Sequence, residues 1–127
     1  MNASVSQGYK RSETIVNEFK SPNSLLVYNL GKALSIQIKD ITHLEGVGNY
    51  TFVCTKHGKY LLSKCLKTVQ GRLNNNFVRI HKSYVVNQQH IKSMWVDNIQ
   101  LDCGKRIPIA RRRIRETHEI LSEVSAM

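Results

Sequence analysis

The residues best suited to chemistry lie in one run, positions 77–87. Phe77, Ile80, Val85 and Val86 alternate irregularly with the donors Arg79, His81, Lys82, Ser83 and Asn87. Apolar anchors of this kind fix a loop to a core while the donors project outward. Lys82 and Ser83 suit contacts to phosphate, and Lys82 also suits the edge of a base. His81 and Ser83 look on paper like a base and a nucleophile, but their i, i+2 spacing is taken to keep them apart, so a hydrolase is not expected. Gly46 and Gly48 form no phosphate loop, because no Gly-Lys-Ser/Thr follows them. The acids are few and scattered, which leaves no obvious catalytic carboxylate pair. Cys54, Cys65 and Cys103 are widely spaced, with no Cys-x-x-Cys pair. Neither a disulfide framework nor a zinc site is expected, and free, mostly buried thiols in a reducing cytoplasm are the default. No catalytic residue, metal or cofactor is expected.

These residues sit in a strongly basic chain. The 127 residues carry a formal net charge of +10 and a pI near 9.8. Residues 1–63 hold seven bases and four acids; residues 64–115 hold twelve bases against Asp97 and Asp102; residues 116–127 hold three acids and no base. The net excess therefore belongs to the segment that contains the donor run and the triplet Arg111, Arg112 and Arg113. That asymmetry points to a polyanionic partner. The length suits one domain, and 41% apolar residues is ordinary for a globular chain. No apolar run reaches the roughly 18 residues of a membrane span, and the polar N-terminus lacks a secretory signal.

The elements that must position these residues are mostly strands. Residues 25–28 and the alternating Leu34, Ile36 and Ile38 flank a turn at 29–32 and predict a hairpin. Residues 40–45 lead into a loop at 46–49, and residues 50–55 and 60–62 form a second hairpin. Leu62, Leu66, Val69 and Leu73 fall at helical spacing, which predicts a helix over 64–73 with Ser63 as its N-cap. Residues 91–96 and 99–101 flank a turn at Asp97 and Asn98, residues 106–109 form a last strand, and residues 111–124 permit a helix. A short helix is also possible over 15–19. The sum is a mainly β domain of small antiparallel sheets, with one short central helix and a C-terminal helix.

The run Phe-x-Arg-x-His-x-Ser-Tyr-x-Val-Asn closely resembles the signature of the LytTR domain, the DNA-binding output domain of LytR/AlgR-type bacterial response regulators. The resemblance covers about residues 25–112. Residues 41–50 (Ile-Thr-His-Leu-Glu-Gly-Val-Gly-Asn-Tyr) resemble the family's Ile-x-x-Ile-Glu block and the Gly-Asn-Tyr loop after it. Leu66, Leu73, Phe77 and Ile91 fall at family positions, as do residues 104–111. The resemblance implies an elongated assembly of small sheets. It also implies sequence-specific binding of double-stranded DNA by loops entering successive major grooves at promoter direct repeats, and a homodimer on that DNA.

It further implies a set of DNA-binding residues: Asn49, Tyr50, Lys82 and Arg111 at base-reading positions, with His81 and Ser83 placing their loop on the backbone. Arg111 suits paired hydrogen bonds to guanine, Asn49 suits adenine, and Tyr50 is equally suited to a core position. Arg112 and Arg113 suit phosphates, and Lys105 is expected to add a sequence-independent contact. Ala110 departs from the serine the family often has there. About 24 residues precede the module, fewer than a receiver domain needs. A stand-alone cytoplasmic regulator and an excised output domain of a two-component response regulator both remain open. The division expected is a polar extension over 1–24, the DNA-binding domain over 25–112 and a helical tail over 113–127. The competing classes are a non-specific polyanion or RNA binder and a protein-interaction module with a basic face.

Overall fold

The computed structural model describes residues 23–125, with side chains described through residue 122. The helix considered over 15–19 and most of the expected N-terminal extension lie outside the described residues. The described chain is mainly strand, in three antiparallel sheets. Strands β1 (Ser24–Asn29) and β2 (Lys32–Gln37) form the first hairpin. Leu30 and Gly31 close it with φ of 53° and 81°, the pair of left-handed conformations that a two-residue turn requires.

Five strands make the central sheet: β3 (Ile41–Val47), β4 (Tyr50–Thr55), β5 (Gly58–Leu62), β6 (Phe77–His81) and β7 (Tyr84–Asn87), in the order β5-β4-β3-β7-β6. The short helix α1 (Leu66–Gln70) connects β5 to β6. The third sheet holds β8 (Ile91–Met94), β9 (Asn98–Leu101) and β10 (Arg106–Pro108), with β9 in the middle. A 3-10 turn over Arg111–Arg113 then leads into α2 (Ile114–Ser125). The mainly β class, the short central helix and the C-terminal helix agree with the sequence reading.

Two cores explain the arrangement. Leu25, Val27, Leu44, Val53, Val69, Phe77 and Val85 lie in one, and Val78, Ile80, Val86, Ile99, Ile107 and Leu121 in the other. The β6–β7 hairpin feeds both, Phe77 and Val85 on one side and Val78, Ile80 and Val86 on the other. A strand buried on both faces shows an almost continuous apolar run rather than clean alternation. That is why residues 77–87 read as an anchored loop from sequence, whereas only Lys82 and Ser83 form the turn. Leu121 and Thr117 bury the inner face of α2, 4% and 1% exposed.

Several local expectations are corrected. The loop placed at 46–49 is shorter, because Gly46 and Val47 belong to β3 and only Gly48 and Asn49 turn. A Cβ on Gly46 would sit 3.2 Å from Leu66, so this glycine serves the close approach of α1 rather than a bend. The central helix spans 66–70, not 64–73, and its N-cap is Cys65, which makes no side-chain capping bond; Ser63 lies outside it. Past Val69 the chain tightens into shorter-range bonds, Arg72 N–H to Val69 and Leu73 N–H to Gln70, both 3.0 Å. Ile38 packs from a 3-10 turn rather than from β2. β8 ends at Met94 instead of Val96. Cys54 is buried, but Cys65 and Cys103 are exposed, against the mostly buried thiols expected.

Candidate nucleic-acid interface

Two backbone bonds gather the three segments singled out from sequence. The β3–β4 turn (Gly48 and Asn49) and the β6–β7 turn (Lys82 and Ser83) lie at the same end of the central sheet, because β3 and β7 are antiparallel neighbours. The Gly46 N–H donates to the Ser83 carbonyl at 2.8 Å and ties the second turn to the end of β3. The third segment arrives through a bulge. The pairing of β6 with β7 shifts register between Arg79 and His81, and the Ile80 carbonyl accepts from the Ala110 N–H at 2.8 Å. Bulges commonly re-aim a strand end in this way. Here it places Ala110, and with it Arg111, beside the end of β6.

Lys82, Asn49, Arg111 and Arg112 are exposed, Ser83 is half-buried, and Tyr50 is 49% exposed, which settles the choice between core and surface for that ring. Their side chains make no hydrogen bond or ion pair to a described residue. His81 differs. Its Nδ1 accepts the Ser83 N–H at 3.0 Å, which puts the ring proton on Nε2. Its ring tilts against Tyr84 with centroids 5.3 Å apart. The idea that the spacing of His81 and Ser83 keeps them apart fails, since alternate residues of an extended chain share a face. The partner His81 takes is nonetheless the backbone of Ser83 and not its hydroxyl. No base–nucleophile pair results.

Arg79 has a role the sequence reading missed. Rather than projecting outward, it folds onto its own turn, with Nε donating to the His81 carbonyl at 3.1 Å and Nη2 to the Lys82 carbonyl. Burial, and then the neighbouring Arg113 cation, lower its pKa. The available signal was strand period alone, which sets Arg79 on the face of β6 that carries His81.

Some bases of the rich segment are occupied internally. Lys105 lies 3.4 Å from Glu45, which also takes Lys59 at 3.4 Å and His43 Nε2 at 2.9 Å. Burial opposes ionisation of the Glu45 carboxyl, but the His43 hydrogen bond and the two lysines hold its pKa below the ordinary value. Arg106 stacks 4.3 Å from the Trp95 ring and donates to Asn98 at 2.9 Å. The sequence-independent contact expected of Lys105 therefore competes with an existing ion pair.

Comparison with known proteins bears on the whole arrangement. The profile of the LytTr DNA-binding domain matches residues 31–122. The chain is 28% identical over 113 residues to the heme-containing CO-sensing transcriptional regulator RcoM 1 of Paraburkholderia xenovorans, covering 84% of this chain and 41% of that one. It is 28% identical over 103 residues to the sensory transduction protein LytT of Bacillus subtilis, covering 76% and 43%. A Staphylococcus aureus transcriptional regulatory protein, LytR, is 31% identical over 108 residues, covering 68% and 44%. The chain thus spans less than half the length of these relatives. Among solved structures, the LytTr DNA-binding domain of a methyl-accepting/DNA response regulator from Bacillus cereus superposes with a TM-score of 0.72 at 20% identity, covering 78% of this chain and 96% of that one. At that identity the likeness speaks for the fold.

Proposed function

The chain belongs to the LytTr DNA-binding domain family, and from that premise we propose that it is the sequence-reading module of a bacterial transcription regulator. The observation that carries this reading is the convergence of three turns at the end of β6, each presenting polar or cationic side chains with no partner among the described residues. Asn49 and Tyr50, Lys82, and Arg111 read bases from the major groove. His81 Nε2–H, Ser83 and Arg112 hold the phosphates beside them. Two such modules bind a direct repeat as a homodimer on promoter DNA, each turn entering a successive groove.

A guanidinium that donates two bonds to guanine O6 and N7 discriminates by about 1–3 kcal/mol, roughly fivefold to 150-fold in Kd. A selection from random DNA supplies the preferred duplex, and a shuffled duplex of equal length is the control at one salt concentration. Arg111→Ala is expected to weaken the preferred duplex by that factor and to leave the shuffled one almost unchanged. An equal loss on both would move Arg111 to the backbone. Equal affinity of the unaltered protein for both duplexes would refute sequence-specific reading and leave a general polyanion binder.

A further inference from the structure

Two adjoining clefts share a wall. One is lined by Gly46, Gly48, Lys82 and Ser83 together with Lys67 and Arg79. The other lies between α1 and α2, lined by Lys67, Arg79 and Arg113 together with apolar residues that include Phe77 and Ile120. Lys67 and Arg79 border both, so a cationic track runs from Lys82 through Lys67 and Arg79 to Arg113. None of the ion pairs among the described residues involves these four side chains. Arg79 spends two nitrogens on the turn carbonyls. Lys67 is exposed on α1 with no described partner. The one acid in the lining of either cleft is Glu116.

Like charges gathered without counter-charges repel one another, and an external anion that spans them relieves that repulsion. The track joins the β6–β7 turn to the arginine triplet, the two segments assigned to the groove and its edge. An anion lying along it is therefore a strand, with several charges in succession. Resting on the DNA-binding reading above, we propose that Lys67 and Arg113 clamp consecutive phosphates of the strand bordering the groove that the Lys82 turn enters, with Arg79 as the wall between them.

Each phosphate neutralised by a cation releases counterions, and removing one such cation lowers the slope of log Kd against log salt by about one. The experiment titrates the full chain with the selected and the shuffled duplex between about 50 and 200 mM salt. Lys67→Gln is expected to weaken both duplexes by the same factor and to lower the slope by about one. Lys67→Gln with Arg113→Gln should lower it by about two, and Lys67→Arg should keep the original slope. Replacing the acid, Glu116→Gln, should tighten both duplexes. Slopes unchanged in both glutamine variants, with Arg111→Ala still discriminating, would overturn the clamp and leave the DNA-reading assignment standing. A protein that binds neither duplex would end both. Should Lys67→Gln lower the melting temperature, the slope of Arg113→Gln alone decides.

Discussion

Arg79 offers the sharpest test of how the β6–β7 turn works, because its contribution is separable from charge. Four hydrogen bonds hold Lys82 and Ser83: Arg79 Nε to the His81 carbonyl, Arg79 Nη2 to the Lys82 carbonyl, Ser83 N–H to His81 Nδ1, and Gly46 N–H to the Ser83 carbonyl. Arg79→Lys keeps the positive charge and removes the planar fork that reaches two carbonyls at once. About half of the restraint is then lost, the equivalent of one residue left to be ordered when DNA binds. Fixing one residue costs about 1–2 kcal/mol. That converts to an affinity loss of about 5- to 30-fold. Fluorescence anisotropy on the selected duplex measures it, with thermal melting as the control for folding. The salt slope should stay at its original value, since no charge is removed. Affinity within twofold of the unaltered protein would refute the idea that Arg79 pre-sets the turn. A slope lower by about one in Arg79→Gln, which does remove the charge, would show instead that the guanidinium itself meets a phosphate.

The packing of α1 on β3 predicts that Gly46→Ala lowers stability by about 1 kcal/mol or more, because the new methyl meets Leu66 at 3.2 Å; denaturant titration with an unchanged midpoint would contradict it. Burial pushes the Cys54 thiol up to about 12 from an ordinary value of 9.0, so at pH 8 an alkylating reagent should modify exposed Cys65 and Cys103 and spare Cys54 until the protein unfolds. The unfolded state releases the Cys54 proton first, so the stabilisation from this thiol is complete below about pH 9 and is lost as pH climbs toward 12. A native protein alkylated equally at all three cysteines, seen by mass spectrometry, would show that the β3–β4 face is open.

Much of the fold was legible in the sequence wherever one physical rule acted alone. The alternation of Leu34 and Ile36 and the turn at Leu30 and Gly31 gave the first hairpin, because that hairpin keeps one face exposed. The rules failed where two acted together. β3 was not seen as a strand at its end, because Gly46 carries a packing role in a residue type that usually signals a turn. β6 and β7 did not read as a hairpin, because each serves two cores and loses its alternation. The helix was drawn too long, because Leu73 keeps helical spacing while its N–H has already moved to Gln70. For the site, the family resemblance singled out Lys82 and Arg111 as candidates. It did not supply the bonds that bring them together, since the Ile80–Ala110 and Gly46–Ser83 contacts are backbone pairs that no side-chain pattern encodes. Arg79 was misplaced for a related reason: a basic residue in an exposed-looking run is indistinguishable by type from one that folds back on its own turn.

The charge of the chain takes on a different meaning once its partners are known. Twelve bases against two acids over residues 64–115 suggest a uniformly basic face. In the fold, Lys105 answers Glu45, Arg106 lies on Trp95, and Arg79 is turned inward onto two carbonyls. Lys82, Lys67, Arg111, Arg112 and Arg113, on the turns or along the track that joins them, have no such partner among the described residues; Lys64, Arg72, Lys92 and Arg115 also lack one, but line neither cleft. Repulsion among these cations is tolerated because backbone bonds set in the sheet, rather than the side chains themselves, hold their segments together. On the proposed reading, backbone bonds set these turns before DNA arrives. The cost of ordering is met during folding, and the discrimination of a few base contacts is not spent on assembling the turns that present them.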